Sequence, residues 1–137
     1  DPDFDLIPGV LSLIQDYHKS GLTLVLASSA SMENINRIFK RFDLDQYFIA
    51  KRSGADLAAS KPHPEIFEKA AQASGFSPEQ CVVIEDSENG ITAAKAAGIY
   101  AIAFDSPNSK AQDYTKADLV INSFEEIKYE RLKRMFH

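Results

Sequence analysis

The 137-residue chain is poor in cysteine, in basic charge and in long apolar runs, and each of these features excludes a class of structure or partner. Its single cysteine, Cys81, has no second cysteine with which to form an internal disulfide. Lysine and arginine number 15 against 20 aspartates and glutamates, so the formal net charge is −5 and no basic run offers a surface to a phosphate backbone. The composition therefore argues against nucleic acid as a partner.

No apolar run approaches the length of a membrane span, and the start Asp1-Pro2-Asp3 lacks the positive region of a signal peptide. We therefore predict no membrane partner and a cytoplasmic location. The sequence has no internal repeat and no low-complexity tract. A hydrophobic content of 45% is enough for a core, and the length corresponds to one domain.

The most informative stretch covers residues 81–90, Cys-Val-Val-Ile-Glu-Asp-Ser-Glu-Asn-Gly. Its four apolar residues predict a strand buried on both faces, which is typical of a parallel sheet covered by helices. That strand ends in two carboxylates, Glu85 and Asp86, and open parallel sheets bind ligands at the carboxyl ends of their strands. A paired acidic site there suits Mg2+. The alternative is that Asp86 caps the next helix while Glu85 faces solvent.

Strand patterns alternate with helical patterns along the rest of the chain, which predicts a doubly wound, Rossmann-like α/β fold with a parallel sheet. We expect strands over residues 22–27, 47–50, 81–84, 100–104 and 117–121. The expected helices are one ended by Gly21, one capped by Ser31, one from Pro64 to Gly75, one over residues 91–97, and a terminal helix after a capping box of Ser123 and Glu126.

Three polar features follow strands or lie on neighbouring loops: Ser28, Lys61 and the pair Glu85 with Asp86. A phosphoryl group in transfer needs hydrogen-bond donors, a fixed cation and a metal held by carboxylates. Ser28 could donate to the phosphate, Lys61 could neutralise it and the carboxylates could hold Mg2+. Taken singly, Lys61 could be a surface lysine and Ser28 an ordinary loop serine. The set also lacks a nucleophile.

Three segments, residues 24–31, 60–67 and 83–98, resemble motifs two, three and four of the haloacid dehalogenase superfamily, and within it the beta-phosphoglucomutase-like branch. The resemblance implies a Rossmann-like core, Mg2+, and phosphoryl transfer through an aspartyl-phosphate on a small phosphorylated metabolite. It assigns phosphate binding to Ser28, Ser29 and Lys61, catalysis to Ser28 and Lys61, and the metal to Glu85 and Asp86. Ser87 and Asn89 could orient metal-bound water, or could equally cap the following helix.

The family's first motif, a strand ending in Asp-x-Asp-Gly whose first aspartate is the nucleophile, is missing. Asp3-Phe4-Asp5-Leu6 resembles this sequence pattern, but no apolar strand precedes Asp3 and Leu6 stands in place of the glycine. We therefore interpret residues 1–7 as a linker from an absent cap domain and residues 8–137 as the core. In the family the missing strand lies between the strands ending at Ser28 and Glu85, so we expect an N-terminal segment, in cis or in trans, to supply it. The chain alone is expected to be inactive.

Two other classes of protein were weighed against an enzyme. A response-regulator receiver also joins acidic residues, a hydroxyl and a lysine around Mg2+, but its acidic pair comes first in the chain and its lysine last. Here Ser28 comes first and the acidic pair last, which argues against a receiver. A non-catalytic binding module with the same fold stays open. His63, between two prolines and without a partner at ligand spacing, is expected to have a structural or surface role and not to bind metal, and Cys81 to be a small core residue.

Overall fold

The computed structural model describes residues 8–105 and 112–136, in which strands and helices alternate. The strands are β1 (Val25–Ser28), β2 (Ala50–Ser53), β3 (Val82–Glu85), β4 (Tyr100–Phe104) and β5 (Leu119–Ile121). The helices are α1 (Val10–Lys19), α2 (Met32–Phe42), α3 (Glu65–Ser74), α4 (Glu88–Ala96) and α5 (Tyr129–Met135). Short 3-10 turns cover Gly54–Asp56, Pro78–Gln80 and Phe124–Ile127. None of these helices is long and apolar enough to cross a membrane.

The sheet is divided into two parts, and every strand pair is parallel. β1 pairs with β2, with Val25 opposite Ala50, while β3, β4 and β5 form the second part, with Val82 opposite Tyr100. Within the described residues no strand pairs with the inner edges of β1 and β3. The α/β class with parallel strands is therefore confirmed, and the sheet is interrupted where the resemblance places the missing strand.

A cleft of about 1560 Å³ separates the two parts of the sheet. Leu26 of β1 lies on one side and Val83 and Ile84 of β3 on the other. These apolar side chains are only half-buried, so the prediction of a β3 buried on both faces is wrong. The reason is that a strand's side chains also pack against those of the next strand, and β3 has β4 as a neighbour on one edge alone.

Helices cover the sheet on both faces and form three groups of buried side chains. α3 and α4 pack on one face, where Ala93 and Ala94 have no exposed area and let α4 lie close to β4. α1, α5 and the turn between β5 and α5 cover the other face. α2 forms a separate group beside β1 and β2, around Ile35 and Phe39. Helices therefore lie on both faces of the sheet that the cleft divides.

Several element boundaries differ from the sequence-based expectation. β1 starts at Val25, three residues later than expected. The strand expected over residues 47–50 is wrong, because β2 runs over Ala50–Ser53 and extends into a stretch interpreted as a loop. Tyr47 and Phe48 pack against the α2 group instead, so their apolar area is covered without pairing to β1.

The last elements also begin at different residues than expected. β5 starts at Leu119, and α4 begins at Glu88, one turn earlier than expected. The capping box of Ser123 and Glu126 opens the short turn Phe124–Ile127 rather than the terminal helix. α5 is a separate helix, because Lys128 is extended and the backbone N–H of Tyr129 donates to the Asp16 carboxylate at 2.7 Å. The linker expected over residues 1–7 lies outside the described residues.

Candidate active site

The candidate site lies at one end of the cleft, where β1 and β3 end. Ser28 is the last residue of β1 and Glu85 the last of β3, and each strand is parallel to the strand it pairs with. The structure brings every sequence-predicted site residue to the lining of this cleft: Ser28, Ser29, Lys61, Glu85, Asp86, Ser87 and Asn89. The carboxyl edge of the sheet therefore collects the hydroxyl, cationic and acidic groups around one opening, as parallel sheets do at their ligand sites.

An ion pair between Lys61 and Glu85 spans this end of the cleft. The distance from Lys61 Nζ to Glu85 Oε2 is 2.9 Å, and the two side chains are only 11% and 12% exposed. Lys61 Nζ also lies 5.2 Å from the ring centroid of Phe67. Because both charges are largely removed from water, their attraction is stronger than that of a surface pair. Lys61 is therefore a fixed cation.

The turn that carries Lys61 is held by the start of α3. Lys61 precedes a cis peptide bond to Pro62, and Pro64 is the N-cap of α3. His63 Nδ1 accepts a hydrogen bond from the Glu65 N–H at 3.2 Å, so His63 has the structural task expected of it.

The Glu85 side chain folds back over the start of α4, where both of its oxygens are engaged. Oε1 accepts hydrogen bonds from the Asp86 N–H at 3.3 Å and the Ser87 hydroxyl at 3.0 Å, while Oε2 takes the Lys61 ammonium. A Cβ added at Gly90 would stand 2.1 Å from both Glu85 Cγ and Cδ. A side chain larger than hydrogen at position 90 would therefore displace the Glu85 side chain. An isolated glycine in the first turn of a helix is the sequence signal of such a contact.

The N-cap of α4 is Ser87. Its hydroxyl oxygen accepts a hydrogen bond from the Gly90 N–H at 3.0 Å while its proton is donated to Glu85. The alternative in which Asp86 caps α4 is therefore wrong, and Asp86 is available for another role. Asn89 is exposed in the first turn of α4 and lines the cleft.

Asp86 stands in an unfavourable electrostatic environment for a carboxylate. Burial of part of the group raises its pKa, and the negative charge of Glu85 and a hydrogen bond between the two carboxyl groups raise the pKa further. The nearby Lys61 lowers the pKa of Asp86 and only partly offsets these effects. A second positive charge beside Asp86 would therefore be stabilising.

The phosphate-binding loop expected after β1 is held by the end of β2. Ser28 Oγ accepts from the Ala30 N–H at 3.1 Å, and the Ser53 hydroxyl donates to the Ala30 carbonyl at 2.6 Å. A Cβ at Gly54 would stand 3.5 Å from both the Ser28 carbonyl oxygen and Ser29 Cα, so the two loops are in contact. Ser53 and Gly54 escaped the sequence analysis because β2 was expected three residues earlier.

The carboxylates fit a partial Mg2+ site. Among the residues that the structure describes, no group of three or more histidine, cysteine, aspartate or glutamate side chains could hold a metal ion. Mg2+ usually takes one or two protein carboxylates and completes its shell with water and substrate phosphate. The crowding of Glu85 and Asp86, which raises the pKa of Asp86, is the condition that a bound cation would relieve.

The protein is therefore a Rossmann-like α/β protein with hydroxyl, cationic and acidic side chains along the cleft between the two parts of its sheet. A family model described as haloacid dehalogenase-like hydrolase matches residues 3–98. The chain belongs to this family of hydrolases, as the resemblance of its three motifs indicated.

Relatives of known activity include two bacterial proteins. Hexitol phosphatase B of Escherichia coli (strain K12) is 33% identical over 123 residues, which are 89% of this chain and 55% of that protein. Beta-phosphoglucomutase of Bacillus subtilis (strain 168) is 34% identical over 128 residues, 93% of this chain and 54% of that protein. The chain therefore spans about half the length of these relatives.

Solved structures support the fold. CbbY from Rhodobacter sphaeroides, crystallised in complex with phosphate, has a TM-score of 0.83 and 29% identity over 92% of this chain and 58% of that chain. Beta-phosphoglucomutase from Clostridium difficile has a TM-score of 0.81 and 26% identity over 95% of this chain and 56% of that chain. Both similarities extend over nearly the whole chain.

Proposed function

We propose that this chain is the larger part of the catalytic core of an Mg2+-dependent enzyme that hydrolyses or transfers the phosphate of a small phosphorylated metabolite, such as a sugar phosphate. The observation that carries the proposal is the buried Lys61–Glu85 pair beside Asp86 at the carboxyl edge of the sheet. Relatives named as a hexitol phosphatase and a beta-phosphoglucomutase support the substrate class.

Each site residue has a distinct task in this proposal. The Ser28 hydroxyl and the Ser29 backbone bind the phosphoryl oxygens, and Lys61 places its fixed charge beside them. Glu85 holds the Lys61 ammonium, and Asp86 is the carboxylate that takes Mg2+ directly, since both Glu85 oxygens are engaged within the protein. When bound, Mg2+ would neutralise charge on the phosphoryl oxygens.

The nucleophile of the proposed reaction is an aspartate carried by a strand that fills the cleft. Along the inner edges of β1 and β3, backbone groups face a cleft lined by apolar side chains. A parallel strand inserted there would pair with both edges and would bring its last residue beside Lys61 and Asp86. We propose that an N-terminal segment provides this strand, in cis or in trans, that its aspartate becomes transiently phosphorylated, and that residues 1–7 connect to it as a linker.

The test compares the chain alone with a restored protein, in which a strand ending in Asp-x-Asp-Gly is joined ahead of the chain. Hydrolysis of p-nitrophenyl phosphate is measured with and without Mg2+. We expect activity in the restored protein and none in the chain alone. In the restored protein, Asp86→Asn should lower the rate and the affinity for Mg2+ together.

Asp105→Asn is the matched control, since Asp105 is an exposed aspartate at the end of β4 on the same edge of the sheet. It should leave both the rate and the Mg2+ affinity unchanged. A restored protein that folds cooperatively but hydrolyses no phosphate ester would contradict the proposal. That result would favour the non-catalytic binding module.

A further inference from the structure

The segment 112–114 lies against the turn that carries Asp86, and we refer to these residues as the strap. The Tyr114 hydroxyl donates to the Asp86 carbonyl oxygen at 2.8 Å and lies 3.4 Å from the Phe104 carbonyl oxygen. Those carbonyls belong to the residue after β3 and the last residue of β4. The Tyr114 ring is half-buried against the apolar group beneath α3 and α4. The strap therefore links the ends of two neighbouring strands.

A second connection joins the strap to the start of α4. The Glu88 N–H donates to Gln112 Oε1 at 3.0 Å, and the Asp113 N–H donates to Glu88 Oε1 at 3.4 Å. Glu88 is the first residue of α4, and the first N–H groups of a helix lack partners within the helix. Gln112 thus satisfies one of these donors from a segment that is remote in sequence.

These contacts hold the Asp86 backbone on both sides. Its N–H donates to Glu85 Oε1, and its carbonyl accepts from Tyr114. The direction of the Asp86 side chain depends on the orientation of the two peptide planes that flank it. Within residues 8–105 and 112–136, the Tyr114 hydroxyl holds the carbonyl of the outer plane, while the Ser87 hydroxyl is bonded to Glu85 and Gly90.

We propose that Tyr114 is a positioning residue for the cation site: its hydroxyl sets the peptide plane after Asp86 and thereby aims the Asp86 carboxylate at the metal. The inference rests on the proposed function, in which Asp86 takes the cation. It adds a residue that touches neither substrate nor metal and that acts through the Asp86 backbone.

The test uses Tyr114→Phe in the restored protein and Mn2+ as the probe, with the free ion counted by electron paramagnetic resonance and no substrate present. Phenylalanine keeps the ring packing and removes the hydroxyl alone. We expect Mn2+ to bind about fivefold to tenfold more weakly, because in the variant the binding of Mn2+ must itself fix the peptide plane that a hydrogen bond worth about 1 kcal/mol otherwise holds. The concentration of Mg2+ at half-maximal rate should rise by a similar factor.

Tyr47→Phe is the matched control, because the Tyr47 hydroxyl accepts from Gln15 Nε2 at 3.1 Å, outside the cleft. It should leave Mn2+ affinity unchanged. The inference would be overturned if the restored protein and its Tyr114→Phe variant bound Mn2+ equally well. It would also be overturned if Tyr114→Phe and Tyr47→Phe weakened Mn2+ binding equally. Selective weakening by Tyr114→Phe in a protein that hydrolyses no ester would support the inference while the proposed function fails. A restored protein without further substitutions that binds no Mn2+ would overturn both the inference and the proposed function.

Discussion

Replacing Gly90 with alanine tests the geometry of the site through stability. Gly90 lies in the first turn of α4, where alanine would ordinarily stabilise the helix by about 1 kcal/mol. The new Cβ would stand 2.1 Å from Glu85 Cγ and Cδ, a separation that forces the Glu85 side chain to move. The two effects have opposite signs, so the outcome depends on what Glu85 loses.

Glu85 loses its partners when it moves away. Its carboxylate is 12% exposed and is held by Lys61 at 2.9 Å, and breaking a buried ion pair on one side costs about 3–5 kcal/mol. Subtracting the helical gain, we expect Gly90→Ala to lower the free energy of unfolding by about 2–4 kcal/mol. Ordinary helix propensity would predict the opposite sign.

Urea denaturation of the restored protein, followed by circular dichroism, measures this change. The matched background is Glu85→Ala, which removes the side chain that Gly90 accommodates. In that background Gly90→Ala should be neutral or stabilising by up to about 1 kcal/mol, so the two substitutions should couple strongly. If Gly90→Ala stabilises the otherwise unchanged protein, or costs the same in both backgrounds, the reasoning about Glu85 is wrong.

Three further substitutions test other parts of the structure. In the restored protein, Lys61→Ala should lower the rate of ester hydrolysis on the order of 10²-fold by removing the fixed charge, and unchanged turnover would contradict its role. The hydrogen bond from Lys95 holds the pKa of Asp118 below its usual range. Asp118 therefore stabilises the fold at neutral pH and loses this contribution as pH falls through its lowered pKa. Asp118→Asn should lower the free energy of unfolding by about 1 kcal/mol at pH 7 and by less in acid, as measured by urea denaturation at both pH values. Tyr17→Phe removes the hydroxyl that donates to the Ile127 carbonyl between α1 and the turn before α5, which should cost about 1 kcal/mol in thermal unfolding, and an unchanged midpoint would contradict it.

Local patterns were sufficient for much of the fold. α1, α3 and β4 were predicted correctly, because their apolar spacing and flanking glycines are properties of short segments. Ser31 was also predicted correctly as the N-cap of α2, where its hydroxyl accepts a hydrogen bond from the Asn34 N–H. The strand expected over residues 47–50 was wrong, because Tyr47 and Phe48 pack against the α2 group. Strand propensity reflects only the residues of the segment itself and does not include such a packing partner.

The candidate site shows the same division. The apolar pattern shows where strands end, so the sequence predicted Ser28 and the acidic pair as candidate site residues at strand ends and Lys61 as one on a neighbouring loop. It left open whether Asp86 caps α4. The tertiary structure decided that Ser87 is the cap and that Glu85 turns back to Lys61.

The roles of Tyr114 and Gly90 were not predicted from the sequence. Tyr114 reaches Asp86 from 28 positions away, and Gly90 matters because of the path that the Glu85 side chain takes over α4. Such contacts depend on how elements pack, and no local periodicity encodes them. The family resemblance predicted a missing strand between β1 and β3, but the residues of these strands alone did not, since an unpaired strand edge is a property of neighbours and not of the strand's own residues.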